Sequence, residues 1–450
     1  VDDPGSYSGF SYRFDLPQVQ VPYLIDVEFP EDARRSVTIS QNWIDETTGG
    51  FASNTLYSAK AYETGGMHPL GNVMCHHRTI VWAASKRLIL GVLSQQAGQR
   101  AAVARITISR FAGDQVPTTR IETPGGRVFC HWYEEVENWR YLVNVAAAHP
   151  GGVVHDLVGL DRWVRICRSF GINGISASGA GYPSAFWRTT SLEGVMPTDY
   201  DQCRLAALIC EKYGMRYTPE VFPGQWYMNL VTLPALAERP EDVRSISSHG
   251  AERGPATNVC DLNPLHPVVQ QAWIDGIGEM ADKLRDCPAF AGVSVRADLW
   301  LFRGDYSFPS LNWGYGDWTI SRFTRDTGIA VPGDDGDPER FLQRYGFLTG
   351  PAMRETWITW RCAGILDYHL RLRDRIRGTT RPDLWFGVAG DFRCDRCYQQ
   401  PASIAIRARE CGFDLAGMRK AGGLVVIANG RYGFRNLGVG AQRSYDDFLD

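Results

Sequence analysis

Period-two alternation of apolar and polar residues marks the first 135 residues of the chain. Ile25, Val27 and Phe29 alternate with Asp26 and Glu28, Val37 and Ile39 with Thr38 and Ser40, and Ile106 and Ile108 with Thr107 and Ser109. Successive side chains of a strand point to opposite faces, so this spacing predicts strands with one buried and one wet face. Turn-rich pieces such as Thr47-Thr48-Gly49-Gly50 and Pro124-Gly125-Gly126 separate them. Residues 1–135 are therefore expected to form an all-β sandwich, jelly-roll-like in arrangement.

After Trp139 the pattern changes to strands alternating with helices. Leu157, Leu160, Trp163, Val164 and Cys167 fall on one helical face, and residues 201–213, with Leu205, Ala206, Leu208 and Ile209, are expected to form the next helix, closed by Gly214. Pro264 and Pro267 introduce a third helix that turns Trp273, Ile274, Ile277, Met280 and Leu284 inward. Further helices are expected at about 318–327, 351–376 and 402–410. Strands are predicted at 141–148, from Gly174, and at 216–222, 290–298, 384–389 and 424–428. Parallel strands need crossover connections, so residues 136–450 read as an α/β domain of the (β/α)8 TIM-barrel type. Six strands fall short of the eight a closed barrel has, and the expectation is that the domain is incomplete at the C-terminus.

Composition narrows the class. A net charge of −3 gives no reason to propose a nucleic-acid or anionic-membrane partner. No apolar run reaches the roughly 18 residues of a membrane span. The first residue is Val, which reads as a processed or trimmed chain. Fourteen Trp suit stacking on sugar rings, although any single Trp is by default a core residue. Eleven cysteines, with Cys167, Cys203, Cys210 and Cys362 inside apolar helical patterns, read as buried thiols. Cys394 and Cys397 form a lone C-x-x-C, and Cys75-His76-His77 lies in a strand whose neighbours face opposite ways. Neither calls for a metal, and no pattern calls for a cofactor.

In a (β/α) barrel the active site sits beyond the C-terminal ends of the strands. That rule selects Glu220 after the third strand, Arg296, Asp298 and Trp300 after the fourth, Asp391 after the fifth, and Asn429 and Tyr432 after the sixth. Glycosidic cleavage needs two carboxyl groups, one to give a proton and one to attack or to activate water. Arg296 and Asp298, two apart, share a strand face, so Asp298 beside a guanidinium suits a nucleophile, with Asp391 or Glu220 as proton donor. Rim carboxylates also cap helices and hold loops, which is the structural alternative for each. Tyr182, Trp187, Trp226, Trp300, Trp313, Tyr315 and Trp318 lie in the following loops as candidate sugar platforms. For Gly314-Tyr315-Gly316-Asp317-Trp318 a small core beneath a long loop is the competing reading. Trp357 and Trp360, three apart on a helix, read as core, and His266 as a helix-start residue.

Asn263-Pro264-Leu265-His266-Pro267-Val268-Val269-Gln270, an amphipathic helix, and then Phe290 to Asp298 together resemble the family-10-like glycosyl hydrolases, where an N-P-x-x-P-x-V segment precedes a helix and a strand ending in aspartate. Trp357-Ile358-Thr359-Trp360-Arg361, Arg381-Pro382-Asp383-Leu384 and Glu211-Lys212-Tyr213-Gly214-Met215 are similar to the same family; the resemblance covers about residues 155–430. Arg296-x-Asp298 also resembles the fourth-strand motif of the α-amylase clan, which implies a nucleophilic Asp298. That clan places a glutamate after the fifth strand, where this chain has Asp391, and a last carboxylate on a seventh strand not found here. Two readings follow. The first is a secreted or periplasmic glycoside hydrolase acting on a poly- or oligosaccharide, with residues 1–135 as an accessory, carbohydrate-binding-like domain. The second is a non-catalytic glycan-binding or assembly protein on a degenerate glycosidase barrel.

Overall fold

The computed structural model describes residues 9–44, 51–54, 60–65, 69–95, 98–113, 115–120, 130–133, 152–181, 184–189, 200–221, 240–250, 262–296, 306–390 and 404–428, with 51–54, 60, 130–133, 180, 181, 184, 240, 241, 296, 389, 390, 404, 405, 407 and 426–428 described by their backbone alone. The chain divides into two compact units, Val1–Ile175 with Lys212–Met215, and Ser176–Glu211 with Arg216–Asp450.

The first unit carries β1 (Gly9–Asp15), β2 (Pro22–Pro30), β3 (Arg35–Ile44), β4 (Phe51–Asn54), β5 (Lys60–Thr64), β6 (Met74–Trp82), β7 (Arg87–Ser94), β8 (Arg105–Arg110) and β9 (Cys130–Tyr133). Two antiparallel sheets form, one in the order β1-β7-β3-β4 with β5 also on β3, the other β6-β2-β8. The alternation read from the sequence sets their faces. Tyr23, Ile25, Val27 and Phe29 of β2 share one buried cluster with Val37 and Ile39 of β3 and Leu88, Leu90 and Val92 of β7. On the wet face of β2, Asp26 accepts from Arg78 at 2.9 Å and meets His76 at 2.8 Å, while Glu28 pairs with Arg105 at 3.0 Å. Cys75-His76-His77 lies within β6, as its pattern predicts. The helix Gly152–Ser169 buries Leu160, Trp163, Val164 and Cys167 of the expected face but leaves Leu157, the first residue of that face, 41% exposed.

The second unit contains a sheet in the order β11-β10-β12-β13-β14-β15, where β10 is Gly174–Gly181, β11 Ser184–Ala185, β12 Arg216–Val221, β13 Gly292–Arg296, β14 Trp385–Gly390 and β15 Leu424–Ala428. The pairs β12/β13, β13/β14 and β14/β15 are parallel. Helices make the crossovers: Pro267–Leu284 precedes β13; Asp317–Thr327, Arg340–Thr349 and Arg354–Arg377 precede β14; Ile404–Glu410 and Leu415–Ala421 precede β15. The fold is thus mixed α/β, with antiparallel sheets in one unit and a parallel sheet in the other. Among the described residues β15 has β14 as its neighbour and no strand joins it to the other end of the sheet. The predicted strand at 141–148 lies outside the described residues.

Val293, Val295, Phe386 and Val388 are fully buried, together with Trp273, Ile277 and Met280 of one helix and Ile365, Tyr368, Leu372 and Ile376 of another. Phe386 packs on the ring of His369 at 5.4 Å. Gly292 opens β13 at φ +149, and a Cβ there would stand 2.1 Å from the Trp385 carbonyl oxygen, so only glycine lets the two strands meet. Among the described residues no helix is long and apolar enough to cross a membrane.

Candidate functional site

Because β12 to β15 run parallel, their C-terminal ends, at Val221, Arg296, Gly390 and Ala428, lie on one side of the sheet. Register fixes which side chains share a face there. Glu220 pairs with Ser294, and Ser294 with Gly387, so these three occupy one row and one face; Thr218 lies on that face two residues earlier. The other face carries Pro219, Val293 and Phe386, the last covered by the helix Arg354–Arg377 through His369. Gly179 of β10 belongs to that second face, since a Cβ on it would meet Pro219 Cβ at 2.9 Å and Met280 Sδ at 3.1 Å. Its neighbour Ser178 therefore joins Thr218 and Glu220, and Ser176 follows by alternation.

The two faces differ in kind. One is Val, Phe and Pro against helices. The other is a polar file of Ser176, Ser178, Thr218, Glu220 and Ser294, every member buried. Glu220 is 1% exposed. The hydroxyl oxygens of Ser176 and Ser294 are buried and bond to nothing among the described residues. An unsatisfied buried hydroxyl is costly. Two of them share one file with the Glu220 carboxyl group. The sequence reading selected Glu220 and missed the hydroxyls. Their signal was present: Ser and Thr at every second position of strands whose other positions are apolar.

The remaining candidates fall in three groups. Arg296 closes β13 opposite Ala389, so the described strands stop two residues before Asp298 and one residue before Asp391. Asp298, Asp391, Trp300, Tyr182, Trp226, Asn429 and Tyr432 lie outside the described residues. Tyr315 is 0% exposed; its hydroxyl donates to Leu311 O at 2.5 Å and its ring packs on Trp357 and Tyr345. Burial pushes its phenol pKa well up. Tyr315 thus realises the small-core alternative, not an open platform. Trp187 is buried as well. Trp318 is half-buried, with the His266 ring at 4.6 Å and the Arg322 guanidinium 5.7 Å from its ring centre. His266 stands at the N-cap of its helix without making a side-chain capping bond, and burial, aided by Arg322, lowers its pKa to about 4. At neutral pH it is uncharged. Trp357 is buried and stacks on Trp360, as expected of core residues.

No family model matches the chain, and a search of the curated proteins finds no match. The resemblance to the family-10-like glycosyl hydrolases therefore rests on the motifs alone. Among solved structures the chain is similar to the glycoside hydrolase domain of PgaB (BpsB) from Bordetella bronchiseptica, at TM-score 0.40 and 11% identity over 58% of this chain and 64% of that one. The catalytic domain of beta-amylase from Paenibacillus polymyxa matches at TM-score 0.39 and 10% identity, over 60% and 71%. A beta-galactosidase from Marinomonas ef1 matches at TM-score 0.37 and 10% identity, over 59% and 37%. The chain spans less than two thirds of the first and little more than one third of the last. These likenesses are to glycoside hydrolases, at a level that assigns neither activity nor residues to this chain.

Proposed function

We propose that the chain is a glycoside hydrolase whose active site lies beyond the C-terminal ends of β12 to β15. The observation that carries this reading is the burial of Glu220 in a polar file, in register with Ser294, at the strand ends that lead into Asp298 and Asp391. A carboxyl group withdrawn from solvent suits the proton donor of glycosidic cleavage, and one beside Arg296 suits the nucleophile. Glu220 and Asp391 are accordingly the donor candidates and Asp298 the nucleophile. Arg296, Trp300, Tyr182, Trp226, Trp318, Asn429 and Tyr432 would bind the sugar, with Tyr315 acting only as support beneath them. The substrate is a poly- or oligosaccharide met outside the cytoplasm, in a secreted or periplasmic setting. Residues 136–450 supply the barrel-type catalytic domain, and residues 1–135 a sandwich-type accessory domain.

Reducing-sugar release from a panel of polysaccharides tests this. Asp298→Asn and Glu220→Gln are each expected to abolish hydrolysis while the protein is still retarded in glycan-containing gels. A parent chain inactive on every glycan, yet retarded by one, would establish the non-catalytic glycan-binding reading instead.

A further inference from the structure

The strand β1 is left uncovered in two ways. It pairs with β7 along its whole length, Gly9 with Leu93 through Asp15 with Arg87, without a bulge. Among the described residues no strand pairs with its other edge. Directly opposed residues of an antiparallel pair share a face, and Phe10, Tyr12 and Phe14 stand opposite Val92, Leu90 and Leu88. Those three β7 residues are completely buried under the β6-β2-β8 sheet. The β1 aromatics continue the same inward face; Phe14 is half-buried and packs against that core, whereas Phe10 is 36% and Tyr12 51% exposed. Their rings form a ladder, 5.6 Å from Phe10 to Tyr12 and 6.5 Å from Tyr12 to Phe14. An apolar face has run past the sheet that should cover it, beside an open edge of backbone donors and acceptors. Native proteins rarely leave such an edge bare.

We propose that a second copy of this chain pairs with β1 across a two-fold axis, antiparallel, with Tyr12 opposite Tyr12. The strand is symmetric about that residue. Its seven residues overlap fully in this register, Phe10 faces Phe14 of the copy at both ends, and six rings close over one another. On the outer face Arg13 meets Ser11 of the copy and Asp15 meets Gly9, so no like charges stand directly opposed; Arg13 is already paired with its own Asp15 at 3.1 Å. One event thus satisfies the open edge and the bare aromatic row together. A glycan stacked on the rings would leave the edge unpaired, and the mutual tilts of 71° and 56° deny it a flat platform. A single seven-residue strand is a small interface, so the dimer is concentration-dependent rather than obligate.

Sedimentation equilibrium of the full chain, from low to high micromolar, tests the pairing. The mass is expected to rise toward twice that of the monomer, and Tyr12→Lys, which sets two ammonium groups face to face, to hold it at the monomer. Tyr12 is exposed, so the variant folds; an unchanged circular dichroism spectrum verifies this. Register is read by oxidation. Cβ atoms directly opposite lie about 5 Å apart, so Tyr12→Cys should give roughly tenfold more disulfide dimer than Ser11→Cys or the parent. A monomer at every concentration overturns the proposal, as does a dimer indifferent to Tyr12→Lys or Tyr12→Cys no more cross-linked than Ser11→Cys. Loss of glycan retardation in a Tyr12→Lys chain whose parent is monomeric would make the row a sugar platform and overturn it equally.

Discussion

Arg344 offers the sharpest test of how the second unit is held together. Its side chain is 3% exposed and donates to four oxygens: Tyr315 O at 3.1 Å, Asp317 Oδ1 at 2.5 Å, Gly333 O at 2.9 Å and Asp335 Oδ1 at 3.1 Å. Truncation to alanine strips these contacts unequally. Two carbonyl oxygens lose a buried donor, at about 1 kcal/mol each toward the low end for unsatisfied groups. Asp317 keeps Arg340 at 3.1 Å, so its loss is partial, about 1 kcal/mol. Asp335 is 78% exposed and adds little. Arg344→Ala should therefore cost about 3 kcal/mol in all. Arg340→Ala should cost no more than about 1 kcal/mol, because Arg344 still holds Asp317. Urea unfolding at neutral pH, followed by tryptophan fluorescence, reads this directly, since Trp357 belongs to the same core cluster as Tyr315. An Arg344→Ala transition that overlays the parent's, or an Arg340→Ala loss as large, would refute the reasoning.

Three further outcomes are expected. Burial lowers the pKa of His369 to about 4, with a partly opposing hydrogen bond to Tyr306 O at 3.0 Å. The unfolded chain then binds the extra proton first, so stability is full above about pH 6.5 and falls toward pH 4, by up to about 3 kcal/mol. His369→Leu should reduce that dependence by the His369 share, leaving the share of His266, whose pKa is also lowered to about 4, and curves parallel to the parent's across the range would exclude His369 as a source. Gly179→Ala forces a Cβ within 2.9 Å of Pro219 and should cost about 1–3 kcal/mol in denaturant unfolding; an unchanged midpoint would mean that β10 and β12 part freely. Burial raises the Cys203 thiol pKa well above its usual value, so mass mapping after mild alkylation should find Cys203 unmodified until denaturant is added, while half-buried Cys75 reacts first among the described cysteines.

The periodicities alone determined the elements whose apolar rows face a core, because burial of one face leaves its spacing in the sequence. Ile25, Val27 and Phe29 line β2, and the face from Leu160 to Cys167 lines its helix. The strand at 424–428 and the helix from Pro267 were equally legible. Elsewhere the local pattern misled or was silent. The helix Arg340–Thr349 was not anticipated, although Leu348 is buried and Phe341, Tyr345 and Phe347 pack against the same core; that Arg344 is buried beside them through its pairing with Asp317, while Leu342 is exposed, is a matter of tertiary contact. For Tyr315 the sequence leaves a sugar platform and a small core both open, and it lies in a core, because only packing against Trp357 and Tyr345, distant in sequence, decides between the two. Glu220 was selected by its place at a strand end. That it shares a face with Ser294 and Ser178, and not with Val293, follows from register between strands, and register is set by the pairing of segments some seventy residues apart in the chain, which no local spacing encodes.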